Sequence, residues 1–213
     1  ATGAGKPFLA VIWFGNPHGP HVPVPELAEL YADQPKAQRN YLAEITGIDR
    51  AMGRLRQELD ALGIRQNTLL WYTSDNGAQG PGSTGGLRGK KGSLWEGGLR
   101  VPCVIEWPAR IKTPRRSELA CGTVDIYPTI LDIVRVTVPQ QPPLDGLSLL
   151  PLLDGKVTAR SQPLGFWVYP VGGHGTPSAE WLKRMRSEEQ DGRLAAADAE
   201  WESRPWTEQV SET

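Results

Sequence analysis

Residues 7–14, Pro-Phe-Leu-Ala-Val-Ile-Trp-Phe, are apolar at odd and even positions alike. A strand with one wet face alternates apolar and polar residues. This run does not, so it predicts a strand covered on both faces, as found inside parallel or mixed sheets. So central a strand, so early in the chain, predicts sheet neighbours supplied by sequence upstream of residue 1. The chain is expected to be open at that end.

The elements that follow keep to α/β logic. Leu42, Ile45, Ile48, Met52, Leu55, Leu59 and Leu62 recur at spacings of three and four, one apolar helical stripe. Gly63 stands where a helix ends on a left-handed residue, and Ile64 supplies the hydrophobic contact after it. Residues 68–73 read as a second buried strand and 101–107 as a third. Residues 123–136 read as a helix that tolerates Pro128 only in its first turn. A short apolar element at 147–153 ends at Asp154-Gly155. Beyond about residue 156 the character changes. Residues 164–169 look strand-like, Thr176-Pro177 looks like a helix N-cap followed by Pro at the first position, and the tail from Ser187 is charged and poor in core formers. Two parts are therefore expected, 1–155 and 156–213.

Composition narrows the classes. Across 213 residues, 23 basic and 24 acidic side chains give a net charge of −1, which excludes a general nucleic-acid binder. No apolar run reaches the roughly 18 residues of a membrane-spanning helix. Two cysteines, Cys103 and Cys121, are too few for a disulfide scaffold or a Cys-based zinc site, and each reads as a small buried apolar residue.

The chemistry gathers after the second strand. Ser74-Asp75-Asn76-Gly77 puts an acid and an amide where a buried strand runs out, the edge at which α/β sheets bind ligands. Their oxygens suit Ca²⁺ or Mg²⁺, although Asn-Gly by itself is an ordinary turn. Glycines then stand at 77, 80, 82, 85, 86, 89, 92, 97 and 98, among Arg88, Lys90, Lys91, Glu96 and Arg100. A glycine-rich backbone with lysines can surround a tetrahedral oxyanion. The P-loop pattern fails, because Thr84 stands where its first Gly belongs and Lys91 follows Lys90. Gly80-Pro81-Gly82-Ser83-Thr84-Gly85 matches the dinucleotide pattern but lacks the strand directly before it and the helix after it. His18, in Asn16-Pro17-His18-Gly19-Pro20, is a candidate proton donor; His21 is its understudy, and His174 lies in a later loop.

Several ordered blocks carry a family resemblance. Ser74-Asp75-Asn76-Gly77, the run from Gly85-Gly86-Leu87-Arg88-Gly89-Lys90-Lys91-Gly92 to Trp95-Glu96-Gly97-Gly98, Pro17-His18-x-Pro20, Val124-Asp125-Ile126-Tyr127-Pro128 and Asp145-Gly146-Leu147-Ser148 resemble the type I sulfatases of the alkaline phosphatase superfamily. The resemblance covers roughly residues 7–170. It implies an alkaline phosphatase-like α/β fold, a mixed sheet flanked by helices, here incomplete and with the start of a smaller C-terminal subdomain. It implies hydrolysis of a small-molecule or glycan sulfate ester, with Ca²⁺ favoured over Mg²⁺ and held by Asp75 and Asn76. It makes Lys91 the sulfate contact, Lys90 its neighbour, and His18 a sulfate contact or leaving-group acid. Those residues are expected to converge.

One part of the family pattern is missing. The family's nucleophile is a formylglycine made from Cys or Ser in Cys/Ser-x-Pro/Ala-x-Arg. Cys103 is followed by Val-Ile-Glu and Cys121 by Gly-Thr-Val. The chain is accordingly expected to be an internal or C-terminal fragment whose nucleophile lies upstream, inactive by itself. The competing readings are a phosphonate or phosphodiester hydrolase of the same superfamily and a folded module without catalysis. Metal binding separates the last of these from the enzymes.

Overall fold

The long helix predicted from the apolar stripe is α2, Lys36–Ala61. The computed structural model in which it is seen describes residues 5–167. α2 ends as the sequence predicts. Gly63 has φ +68°, its N–H donates to the Asp60 carbonyl at 2.9 Å, and the Ile64 N–H donates to the Leu59 carbonyl at 3.0 Å. This paired closure satisfies carbonyls that the helix end would leave open. α2 starts six residues before Leu42, because residues 36–41 contain nothing that breaks a helix.

The chain divides into two units, with the boundary between Gly53 and Arg54, within α2. In the first, the short α1 (Pro25–Glu29) begins with Pro at its first position, where the missing N–H costs nothing. Leu27, Ala43 and Ile48 are buried there. Tyr31 donates its hydroxyl to Thr46 Oγ1 at 2.6 Å, and Thr46 donates to the Leu42 carbonyl. Residues 7–14 form no strand, contrary to expectation. They run exposed, Trp13 at 91%. A strand exists by pairing its amides and carbonyls with a neighbour, and no described strand pairs with this run. Ile45 and Leu62 of the predicted apolar stripe are likewise exposed.

In the second unit, β1 (Leu70–Thr73) and β2 (Cys103–Glu106) pair antiparallel, from Leu70 opposite Glu106 to Thr73 opposite Cys103. Both strands are shorter than the predicted 68–73 and 101–107. Residues 74–102, which include the short α3 (Glu96–Leu99), leave the sheet at the carboxyl end of β1 and return beside it. Glu106 at the other end accepts from Arg56 and Arg65, and Arg65 also donates to Asp60. Both cysteines are exposed, which corrects the expectation of buried residues. Cys103 and Val104, on opposite faces of the first two positions of β2, are both exposed. The protein around each sulfur still pushes both thiols up, through partial desolvation.

α4 (Ile126–Val134) carries Pro128 in its first turn, as its sequence requires, and a single 3₁₀ turn, Thr123–Asp125, precedes it. Asp125 is fully buried. Its carboxylate accepts from the N–H groups of Gly122 (2.9 Å) and Leu147 (2.7 Å) and from both terminal nitrogens of Arg160. Burial would raise this carboxyl; the Arg160 fork and the two backbone donors outweigh it and hold it below the usual carboxylate range. Thr129 Oγ1 accepts from the Leu149 N–H at 2.8 Å and donates to the Asp125 carbonyl. α5 (Leu150–Leu153) follows, with Leu149 and Leu153 in the core, and ends at Asp154-Gly155 as predicted. Residues 164–167 form no strand. Tyr169, Thr176-Pro177, His174 and the charged tail lie outside the described residues.

Candidate active site

At the end of β1 the chain turns through four residues. Ser74 donates to the Asn76 carbonyl at 3.0 Å, a short side-chain-to-backbone bond that sets the turn. Asp75 is exposed and Asn76 half-buried. Asn76 Nδ2 donates to Asp75 Oδ2 at 2.5 Å, so the two side chains already face each other.

Gly77 is buried, and its N–H donates to the Gly98 carbonyl at 2.9 Å. The approach is so close that a Cβ on Gly77 would sit 1.9 Å from the Gly97 carbonyl oxygen. Only glycine lets the two ends of the loop touch backbone to backbone. The same interlock seats the lysines. The Lys91 N–H donates to the Ala78 carbonyl at 3.1 Å, the Ser93 N–H to the Lys90 carbonyl at 3.0 Å, and the Lys90 N–H to Ser93 Oγ at 3.2 Å. The Gly97 N–H donates to the Arg88 carbonyl at 2.8 Å. Thus the Asp75-Asn76 turn and the Lys90-Lys91 turn are joined through Ala78, two residues beyond Asn76.

Lys91 is half-buried and Lys90 exposed. The other cations of the loop are engaged. Arg88 lies 3.6 Å over the Trp95 ring, and Arg100 pairs with Glu118 at 3.3 Å and Glu96 at 3.9 Å. Among the described residues, no group of three or more His, Cys, Asp and Glu stands ready to hold a metal. Asp75 and Asn76 fit a hard cation in kind, one carboxylate and one amide oxygen, while Ca²⁺ takes about six to eight oxygens. Both can serve only if the amide turns its oxygen to the side where Nδ2 now faces Asp75.

His18 belongs to the first unit. It is exposed, and its Nδ1 donates to the Gly19 carbonyl at 2.7 Å, which places the other proton site, Nε2, outward from that bond. His21 is held differently. Its Nδ1 meets Glu44 Oε2 at 2.7 Å, and Glu44 Oε1 accepts the Val22 N–H at 2.9 Å. Sequence reasoning passed over Glu44, because one Glu within an amphipathic helix reads as a solvated residue. Its place three residues after Tyr41 and four before Ile48, on the buried track, was the available signal.

The sulfatase family model matches residues 1–136. The chain is 34% identical to mouse steryl-sulfatase over 164 residues, covering 70% of this chain and 25% of that protein. It is 30% identical to rat arylsulfatase G, covering 73% of this chain and 31% of that protein. Among solved structures, Ps i-CgsB superposes with a TM-score of 0.64 at 27% identity, over 67% of this chain and 32% of that one; the same protein has been crystallised with k-i-k-neocarrahexaose. The chain therefore spans about a quarter to a third of the length of these relatives. No helix among the described residues is long and apolar enough to cross a membrane. The fold is the alkaline phosphatase-like α/β fold of those structures, represented here in part by helices and a small antiparallel sheet. By the extent of the family match, the chain belongs to the sulfatase family.

Proposed function

We propose that the protein containing this chain hydrolyses a sulfate ester of a small molecule or glycan, and that this chain supplies part of its active site. The observation that carries the reading is the glycine interlock: in a chain of the sulfatase family, it joins an Asp-Asn pair and a half-buried lysine through one backbone bond. Lys91 offsets charge that grows on the sulfuryl oxygens as the ester bond breaks. Lys90, exposed, reaches the rim. His18 contacts the sulfate or gives its proton to the departing alcohol. Asp75 and Asn76 contribute oxygens to a Ca²⁺ ion, with Mg²⁺ the lesser candidate; when bound, the cation supplies further positive charge beside the sulfate. The nucleophile, a formylglycine, comes from sequence outside this chain, because no Cys or Ser here has the required Pro/Ala and Arg after it.

The test is steady-state turnover by the complete protein on matched aryl sulfate, aryl phosphate diester and aryl phosphonate esters. Preference for the sulfate by orders of magnitude is expected. Preference for either phosphorus ester would replace the reading with phosphoryl transfer, and no turnover of any would favour a module without catalysis.

A further inference from the structure

The first unit contains a buried carboxylate for which the proposed chemistry has no use. Glu44 is 2% exposed. A buried carboxylate is expensive unless each oxygen is occupied, and here both oxygens are spent on one neighbouring segment. Oε2 holds His21 Nδ1 at 2.7 Å and Oε1 holds the Val22 N–H at 2.9 Å. One turn earlier on α2, Asn40 Nδ2 donates to the His21 carbonyl at 3.1 Å. The His21 ring is also packed edge-on against Tyr41, with centroids 5.7 Å apart. Thus two successive turns of one helix grip residues 21 and 22, directly after Pro17-His18-Gly19-Pro20. The other ring nitrogen of His21, Nε2, backs onto Gly19, 3.9 Å from where a Cβ would stand.

We infer that Glu44 is a positioning residue for His18: through His21 and Val22 it fixes to α2 the loop that presents the His18 imidazole. The inference rests on the proton-donor role proposed for His18. With the carboxylate removed, His21 loses the partner of its Nδ1 and Val22 the acceptor of its N–H, and the loop is free to shift. A displacement of about 1 Å in a reacting group costs roughly 10²-fold in rate.

The test uses the complete protein and two aryl sulfates, one with an activated and one with a poor leaving group. Glu44→Ala, Glu44→Gln, His18→Ala and the His18→Ala/Glu44→Ala double variant are compared with wild type. Glu44→Ala is expected to lower kcat roughly 10²-fold on the poor leaving group, and much less on the activated one, with KM little changed. Glu44→Gln, which keeps an acceptor for Val22, is expected to fall between. The double variant should be no worse than His18→Ala alone. Histidine ¹⁵N spectra of the same proteins give a readout apart from turnover: His21 should carry its proton on Nδ1 in wild type and lose that preference in Glu44→Ala. A merely structural Glu44 would lower Tm and leave the leaving-group dependence of the folded enzyme unchanged, which would overturn the inference. A His18→Ala defect with no Glu44→Ala defect would overturn it too, with the proposed function standing. A His18→Ala enzyme with wild-type turnover would withdraw both His18's role and this one.

Discussion

Asp125 and Arg160, 35 positions apart in sequence, meet as a two-bond fork at 2.8 and 2.9 Å with the carboxylate fully buried. The Arg160 side chain is itself only 7% exposed. Removing one member of such a pair strands the other charge without solvent. Arg160→Ala is therefore expected to cost the complete protein about 3–5 kcal/mol, measured by urea unfolding. Asp125→Ala should match it, since it also leaves the Gly122 and Leu147 N–H groups without their acceptor. A loss under about 1 kcal/mol, the value of an exposed pair, would contradict the buried geometry.

The same carboxylate predicts a pH dependence. Its pKa is depressed in the folded state, so its stabilisation is fully present above the ordinary carboxyl pKa of about 3.9. It is lost as pH falls through the depressed folded value. The stability gap between wild type and Asp125→Asn should hold constant from neutral pH down to about 4 and then close. Unfolding free energies across that range check it; a gap that widens in acid would reverse the sign assigned here.

Lys91 and Lys90 are adjacent in sequence but differ in burial. Lys91→Ala in the complete protein should lower turnover of an aryl sulfate by roughly 10²-fold or more, as for a lost contact to a developing oxyanion. Lys90→Ala should cost far less. Equal small losses would mean that the sulfate contact lies elsewhere in the loop.

Gly77→Ala tests the interlock without touching a charged group. The added methyl would collide with backbone at Gly97, and backbone cannot swing aside as a flexible side chain can. Loop 74–102 must then separate at one end, and turnover should fall together with protease resistance of that segment. Unchanged turnover and proteolysis would show that the loop ends are less tightly joined.

The chain expressed alone should bind Ca²⁺ weakly and turn over no aryl sulfate. Asp75 and Asn76 offer too few of the roughly six to eight oxygens, and neither cysteine has the sequence context of a formylglycine. Calorimetry and a chromogenic assay decide. Micromolar affinity or multiple turnover would demand ligands and a nucleophile within these 213 residues.

What could be read in advance follows from the range of each interaction. The end of α2 was readable because Gly63 and Ile64 encode the cap within a few residues. Pro128 required a helix start that puts it in the first turn, and α4 obeys by beginning at Ile126 rather than at the expected 123, where a 3₁₀ turn stands instead. Residues 7–14 misled because apolar character reports a preference for burial, while strand identity depends on a partner that periodicity does not contain. Asp125 with Arg160 and His21 with Glu44 were invisible as pairs, since nothing in either member's neighbourhood names a partner 35 or 23 positions away. Lys91 could be singled out from Lys90 only through the family pattern; their unequal burial is a property of the folded turn.

The interlock at Gly77, Gly97 and Gly98 has a bearing on how such a loop diversifies. Its closure relies on main-chain groups, which a substitution other than proline preserves unless it adds bulk at a contact point. The side chains of Gln79 and Ser83, exposed along the outer part of the loop, take no part in that closure. Mutation there can reshape what surrounds a substrate while the lysine turn keeps its seat. A scaffold fastened by peptide groups lets selectivity drift independently of the catalytic floor.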